Sequence, residues 1–128
     1  VGVAQLNRAE EFVKRKKEIL EIYKKLLKDM TEVTVFKFNP KGDISPHRII
    51  IMVPFARPLI EYLSSLGIGV RTMFMPMHSQ VCYNTQQEFP ITEKLYVQGV
   101  CLPSAPGLTQ ENIEFICESI KGFYSKGE

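Results

Sequence analysis

The run Ile49-Ile50-Ile51-Met52-Val53, closed by Pro54, constrains this chain more than any other stretch. An unbroken apolar run gives a strand no solvent face to present, so both of its faces have to be covered. The strand reaches back to His47 and stops at Pro54, because a residue without an amide hydrogen cannot serve a central ladder. The remainder of the chain must supply neighbours for its edges and helices for its faces.

Glu32 to Phe38 alternates with β-branched and aromatic residues and reads as a strand with Val33, Val35 and Lys37 on one side. Asn39-Pro40-Lys41-Gly42-Asp43 is a turn or short loop, which makes this strand and the apolar run antiparallel neighbours. Pro58 to Leu66 predicts a helix that tolerates Pro in its first turn and buries Leu59, Ile60, Leu63 and Leu66. Gly67 ends it in the left-handed conformation. Ile68 to Met75 is then a third strand, reached by a helical crossover in a βαβ-like unit. Val100-Cys101-Leu102, stopped by Pro103, is a short edge strand.

Apolar residues from Val3 to Met30 recur every three or four positions, which predicts one long amphipathic helix. Thr92 caps a short helix running to about Gln98, with Ile91 and Tyr96 as a hydrophobic staple. Thr109 caps the last helix, with Leu108 set to staple Ile113. The fold class is α+β: a small three- to four-stranded sheet, mostly antiparallel with a βαβ unit, flanked by a long N-terminal helix and a C-terminal helix. No internal repeat, low-complexity segment or boundary divides residues 1–128, which read as a single domain.

A chain of 128 residues, 45% hydrophobic and 23% charged, has the composition of one ordinary core. At this length it buries roughly two-thirds of its unfolded surface and needs no disulfide framework or structural metal. Cys82, Cys101 and Cys117 are odd in number, widely spaced and without ligand spacing, which reads as reduced thiols in a cytoplasmic protein, or simply as small buried hydrophobes. The net charge of +2 collects in residues 1–30, but acids are mixed through the basic helix face and no aromatic platform accompanies it. That balance argues against a nucleic-acid module. No run approaches the length of a membrane helix, and no cleavable leader opens the chain. Because the first residue is Val1, the chain is expected to begin inside a longer protein.

No phosphate loop, paired cysteine ligands or His-Glu-x-x-His motif is present, so no metal site is expected. Ser79 or Cys82 beside His78 does not make a nucleophile, since adjacency in sequence is not triad geometry. What chemistry there is gathers in Gly67 to His78. Arg71 is carried inward on an otherwise apolar strand, where a guanidinium must either reach solvent or a salt-bridge partner at a sheet edge, or meet an anion. His78 is either a contact to a ligand hydroxyl or phosphate, or a hydrogen-bonded structural residue.

The motif spacing resembles a known family. Arg57-Pro58-Leu59 through Leu63 and Gly67-Ile68, then Arg71, Phe74, Pro76, Met77-His78, Gln80 and Tyr83, is similar to a segment of the DegT/DnrJ/EryC1/StrS sugar aminotransferases, which depend on pyridoxal phosphate. Phe89-Pro90 to Glu93 and Leu102-Pro103-Ser104-Ala105-Pro106-Gly107-Leu108-Thr109 continue the likeness, and Ala4-Gln5-Leu6 with Arg15 and Tyr23 resembles the helix entering the family's small domain. The Arg71 to Tyr83 portion is most similar to the perosamine-synthase-like branch, which acts on GDP-linked 4-keto-6-deoxy sugars. Val81 and Met77 depart from its pattern.

The resemblance implies the small C-terminal domain of a type I aminotransferase fold, in a dimeric cytoplasmic enzyme that makes 4-amino sugars. It implies a missing N-terminal large domain that carries the Schiff-base lysine. Pyridoxal phosphate is then the cofactor of the full-length enzyme, with none expected in this chain, and the isolated chain is expected to be inactive. Arg71, His78, Phe74 and Tyr83 become the substrate-binding candidates, with no catalytic, cofactor-binding or metal residue. The nucleotide sugar and a second subunit are the implied partners, without nucleic acid or membrane. A reading from the residues alone stays open beside it: a free-standing α+β module that binds an anion or small ligand, or regulates.

Overall fold

The computed structural model describes residues 2–39, 41–42, 44–83 and 87–125. The apolar run is strand β2, Ile49–Met52, within a four-stranded sheet. Its partners are β1 (Thr34–Val35), β3 (Arg71–Thr72) and β4 (Gly99–Leu102), in the order β1-β2-β4-β3, every pair antiparallel. Val35, Ile51, Val100 and Thr72 form one cross-strand row, and Ile50, Cys101 and Arg71 the next. Side chains alternate along a strand. Ile49, Ile51 and Val53 therefore share one face with Val100 and Leu102, all fully buried. Ile50, Met52, Cys101 and Arg71 share the other.

The buried face is covered by three helices. Helix α2 (Ala9–Leu27) contributes Ile19, Leu20, Tyr23 and Leu27; α3 (Ala56–Ser65) contributes Leu59 and Leu63; α5 (Gln110–Ser125) contributes Ile113, Ile116, Cys117 and Ile120. Polar ties fix α2 to the segment after β4. The Tyr23 hydroxyl donates to the Pro103 carbonyl at 3.1 Å, and Arg15 donates through Nη2 to the Leu108 carbonyl at 2.6 Å.

Two helix ends follow the sequence closely. Gly67 has φ +78°, its N–H donates to the Ser64 carbonyl at 3.0 Å, and the Ile68 N–H donates to the Leu63 carbonyl at 3.0 Å. This is a Schellman ending, which satisfies orphan carbonyls and turns the chain sharply. At the start of α5 the Asn112 N–H donates to Thr109 Oγ1 at 3.2 Å while the Thr109 N–H donates to Asn112 Oδ1 at 3.3 Å, a reciprocal cap. In the turn after β1, the Lys41 N–H donates to Asn39 Oδ1 at 3.0 Å; Pro40 and Asp43 lie outside the described residues.

Several expectations need correction. Val100 to Leu102 belongs to an interior strand, with all four residues of β4 buried, and not to an edge. The βαβ-like unit is accordingly split: β2 and β3 run parallel, with antiparallel β4 inserted between them. β4 fits there because Gly99 has no side chain; a Cβ would collide with the Met73 side chain and with the Leu95 carbonyl oxygen at 2.5 Å. The third strand contracts to Arg71–Thr72, since β4 begins at Gly99 and offers Met75 no partner.

The long helix is broken at Asn7 and Arg8, leaving a separate α1 (Gly2–Leu6). Val3 and Leu6 are exposed, so nothing packs this turn into line with α2, and short helices depend on such packing. Helix α4 (Pro90–Gln98) opens on Pro90 and not on a Thr92 cap, because a residue without an N–H is the natural first helical position. Ile91 is 77% exposed and α4 buries no residue, so no staple with Tyr96 forms. The first strand contracts to Thr34–Val35; Val33 just before it is buried and Val35 half-buried, but Lys37 beyond it is exposed.

Candidate functional site

The face of the sheet opposite the helices is only partly covered. A groove of about 720 Å³ runs between Phe36 and Met52 of the sheet side and Ile91, Lys94 and Gln98 of α4. At the other end of this face the chain leaves β3 at Thr72 and crosses as residues 73–83, carrying three of the four residues that the sequence singles out, the fourth being Arg71 on β3 itself.

Arg71 lies on edge strand β3, opposite Cys101, and is exposed. It is not carried inward, because parity puts it on the outer face and β3 has a neighbour on one side only. Met73 then folds against the sheet, with the Cys101 Sγ 3.7 Å from its sulfur. Burial pushes the Cys101 thiol up, offset in part by the charge of Arg48. Phe74 is 72% exposed, yet the Arg48 guanidinium carbon sits 4.9 Å from its ring centroid, within cation–π range.

Beyond the buried Pro76, a single 3₁₀ turn, Met77–Ser79, sets His78. Its ring packs 4.7 Å from that of Phe89, and Nε2 lies 3.3 Å from Glu93 Oε1 on α4. The imidazole is thereby held at both its face and its edge, which fixes the loop against α4. Tyr83 is exposed, with its N–H donating to the Gln80 carbonyl at 3.0 Å.

The structure thus places Arg71, Phe74, His78 and Tyr83 along one continuous segment, but among the described residues no hydrogen bond, ion pair or ring contact joins any two of them. The contacts that do form run to Arg48, Phe89 and Glu93, none of which the sequence reading proposed for the site. Arg48 carried a signal: it is the charged residue directly before the apolar run, two positions from Ile50 and so on the same face. The pairing of His78 with Glu93 carried none, since only α4 brings them together.

Charge on this segment has one sign. Residues 44–60 and 62–87 include Arg48, Arg57, Arg71 and two histidines and contain no aspartate or glutamate. Among the described residues no group of three His, Cys, Asp or Glu could hold a metal ion. No described helix is long and apolar enough to cross a membrane.

Residues 1–121 match the sequence profile of the DegT/DnrJ/EryC1/StrS aminotransferase family. A GDP-perosamine synthase of Escherichia coli O157:H7 is 36% identical over 129 residues, covering 98% of this chain and 35% of that protein. A GDP-perosamine synthase of Vibrio cholerae is 31% identical over 134 residues, covering 98% of this chain and 36% of that protein. The chain therefore spans about a third of the length of these relatives. The aminotransferase TlmJ of Streptoalloteichus hindustanus superposes with a TM-score of 0.90 at 23% identity, over 99% of this chain and 36% of TlmJ, a likeness of fold.

Proposed function

The chain belongs to the DegT/DnrJ/EryC1/StrS aminotransferase family, and from that premise we propose that it is the C-terminal part of a pyridoxal-phosphate-dependent nucleotide-sugar aminotransferase. The reaction is conversion of a 4-keto-6-deoxy sugar to its 4-amino counterpart, and this part contributes substrate contacts and subunit packing. The upstream part, roughly the remaining two-thirds by comparison with the synthases, supplies the chemical step.

The observation that carries this reading is the exposed Arg71 on an outer sheet face whose strands and crossing segment hold no acid to neutralise it. A guanidinium there is available for a phosphate oxygen, to which it can present a bidentate fork. His78, steadied by Phe89 and Glu93, can hydrogen-bond a sugar hydroxyl; Phe74 and Tyr83 offer exposed rings for stacking. Exposed Phe74, Met75, Met77 and Val81 support a face that is covered in the assembled enzyme.

Pyridoxal phosphate supplies electron withdrawal from the amino-bearing carbon when bound. The residues of this chain do not fit as its holders: every described lysine is exposed or half-buried, and those on α2 lie along its polar face. The 128-residue chain by itself is therefore expected to show no turnover with it.

The test is kinetic, on the full-length protein with a GDP-linked 4-keto-6-deoxy sugar and an amino-acid donor. Arg71→Met should raise KM for the sugar nucleotide about tenfold, the scale of one charge-assisted hydrogen bond, while the half-reaction with the amino donor keeps its rate. An unchanged KM, or a loss confined to the donor half-reaction, would remove Arg71 from the substrate site. Absence of any amino transfer to nucleotide sugars would remove the reading itself.

A further inference from the structure

The open face of the sheet holds a second guanidinium for which the described residues supply no carboxylate. Arg48 precedes β2, and its position two residues from Ile50 puts it on the outer face with Cys101 and Arg71. It lies over Phe74, with its guanidinium carbon 4.9 Å from the ring centroid. Its Nε is sealed from solvent without a hydrogen-bond partner. Among the described residues no carboxylate pairs with it.

An Nε–H sealed from water without an acceptor is costly, and such a group is normally paired; the Cys101 thiol, which hydrogen-bonds the same guanidinium, is only a weak acceptor. The arrangement makes sense for a donor waiting for an anion. Phe74 adds to the case, because an apolar ring this exposed gains little from folding but holds the guanidinium plane in one orientation. Arg48 as a whole is half-buried, so part of its side chain reaches the surface. Two strands at about 4.8 Å spacing and two residues at about 3.3 Å rise put the Cα atoms of Arg48 and Arg71 roughly 12 Å apart. Two long side chains reaching over one face from that separation can converge on a pair of linked phosphates.

We propose that Arg48 is a second oxyanion-binding residue, which with Arg71 takes the diphosphate of a nucleotide sugar while Phe74 acts as the platform that orients it. The identity of the anion as a diphosphate rests on the nucleotide-sugar reading above; the two-guanidinium site rests on the geometry of this face.

The probe is pyrophosphate, titrated at low salt into the 128-residue chain while the arginine Nε–H signals are followed by NMR, with acetate as a parallel titrant. The Arg48 and Arg71 signals should shift and saturate together with pyrophosphate and stay unmoved by equal acetate. Arg48→Met should weaken binding about tenfold, the worth of one charge-assisted hydrogen bond, and Phe74→Leu should weaken it severalfold with both charges retained. Should Arg48→Met fail to give a folded amide spectrum, Arg48→Lys, which keeps the charge and loses the fork, carries the same expectation. Wild-type affinity in the Arg48 variant overturns the proposal, as does equal binding of acetate, which would make a carboxylate the partner. If Arg71→Met loses binding and the Arg48 variants do not, Arg48 is removed and the aminotransferase reading stands. If the Arg48 variants lose binding but the full-length protein transfers no amino group to nucleotide sugars, the oxyanion site stands and the aminotransferase reading falls.

Discussion

Gly67 controls how the chain leaves α3 for β3, and so where Arg71 stands. Its φ of +78° is a conformation that costs an L-residue roughly 1–2 kcal/mol. A Cβ built there meets no atom within 4 Å, so Gly67→Ala introduces no clash and tests the backbone directly. Against the strain stands a gain of about 0.4–1 kcal/mol from the stiffer unfolded chain. The net expectation is a loss of about 1 kcal/mol. Gly69 is the internal control: its surroundings are equally empty and its φ is not positive, so Gly69→Ala should be neutral or stabilising by about 0.4–1 kcal/mol. Gly67→Asn, which tolerates the left-handed region, should recover part of the loss. Urea unfolding resolves these differences as midpoint shifts at constant slope. Equal midpoint shifts for the two alanine variants, or a Gly67→Ala midpoint at or above wild type, would refute the argument.

Alkaline pH should unfold the protein through two buried acids. Burial pushes the Cys117 thiol up to about 12 and the Tyr23 phenol above its ordinary range, so the folded state holds protons that the unfolded chain gives up from about pH 9 and 10 respectively. Stability is then flat below about pH 9 and falls as pH rises toward 12, by at most about 1.4 kcal/mol per pH unit for each group. Tyr23→Phe and Cys117→Ala should each flatten that limb in denaturation curves taken at several pH values, and a limb that neither changes would discredit the assignment. Cys82 is exposed while Cys101 and Cys117 are buried, so a thiol reagent should modify one cysteine rapidly in the native protein and the other two only after unfolding; rapid labelling of two or three would contradict the burial.

The parts of the fold legible in the sequence are those set by local chemistry. Gly67 announces its own φ, Thr109 its cap, and the run from Ile49 to Val53 a strand, because turn geometry, capping and hydrophobicity act within a few residues; its expected burial on both faces is met on one only, since Ile50 and Met52 are half-buried. Pairing partners are not local. Val100 to Leu102 looks like an edge strand when only its length and Pro103 are seen. It becomes central because β2 and β3 leave a gap that a glycine-led strand can enter. Periodicity carried the first helix through Asn7 and Arg8, where burial fails to support it.

The sequence by itself determined the family and, for the proposed site, the order of residues from Arg71 to Tyr83 and the absence of acids among them, since residue identity and spacing need no third dimension. Only the tertiary structure decided that Arg71 faces outward, that His78 rests on Phe89 beside Glu93, and that Arg48 lies over Phe74. Each depends on strand parity and on chain crossings that bring together residues 11 to 26 positions apart, and interactions across such distances arise only when the sheet has formed.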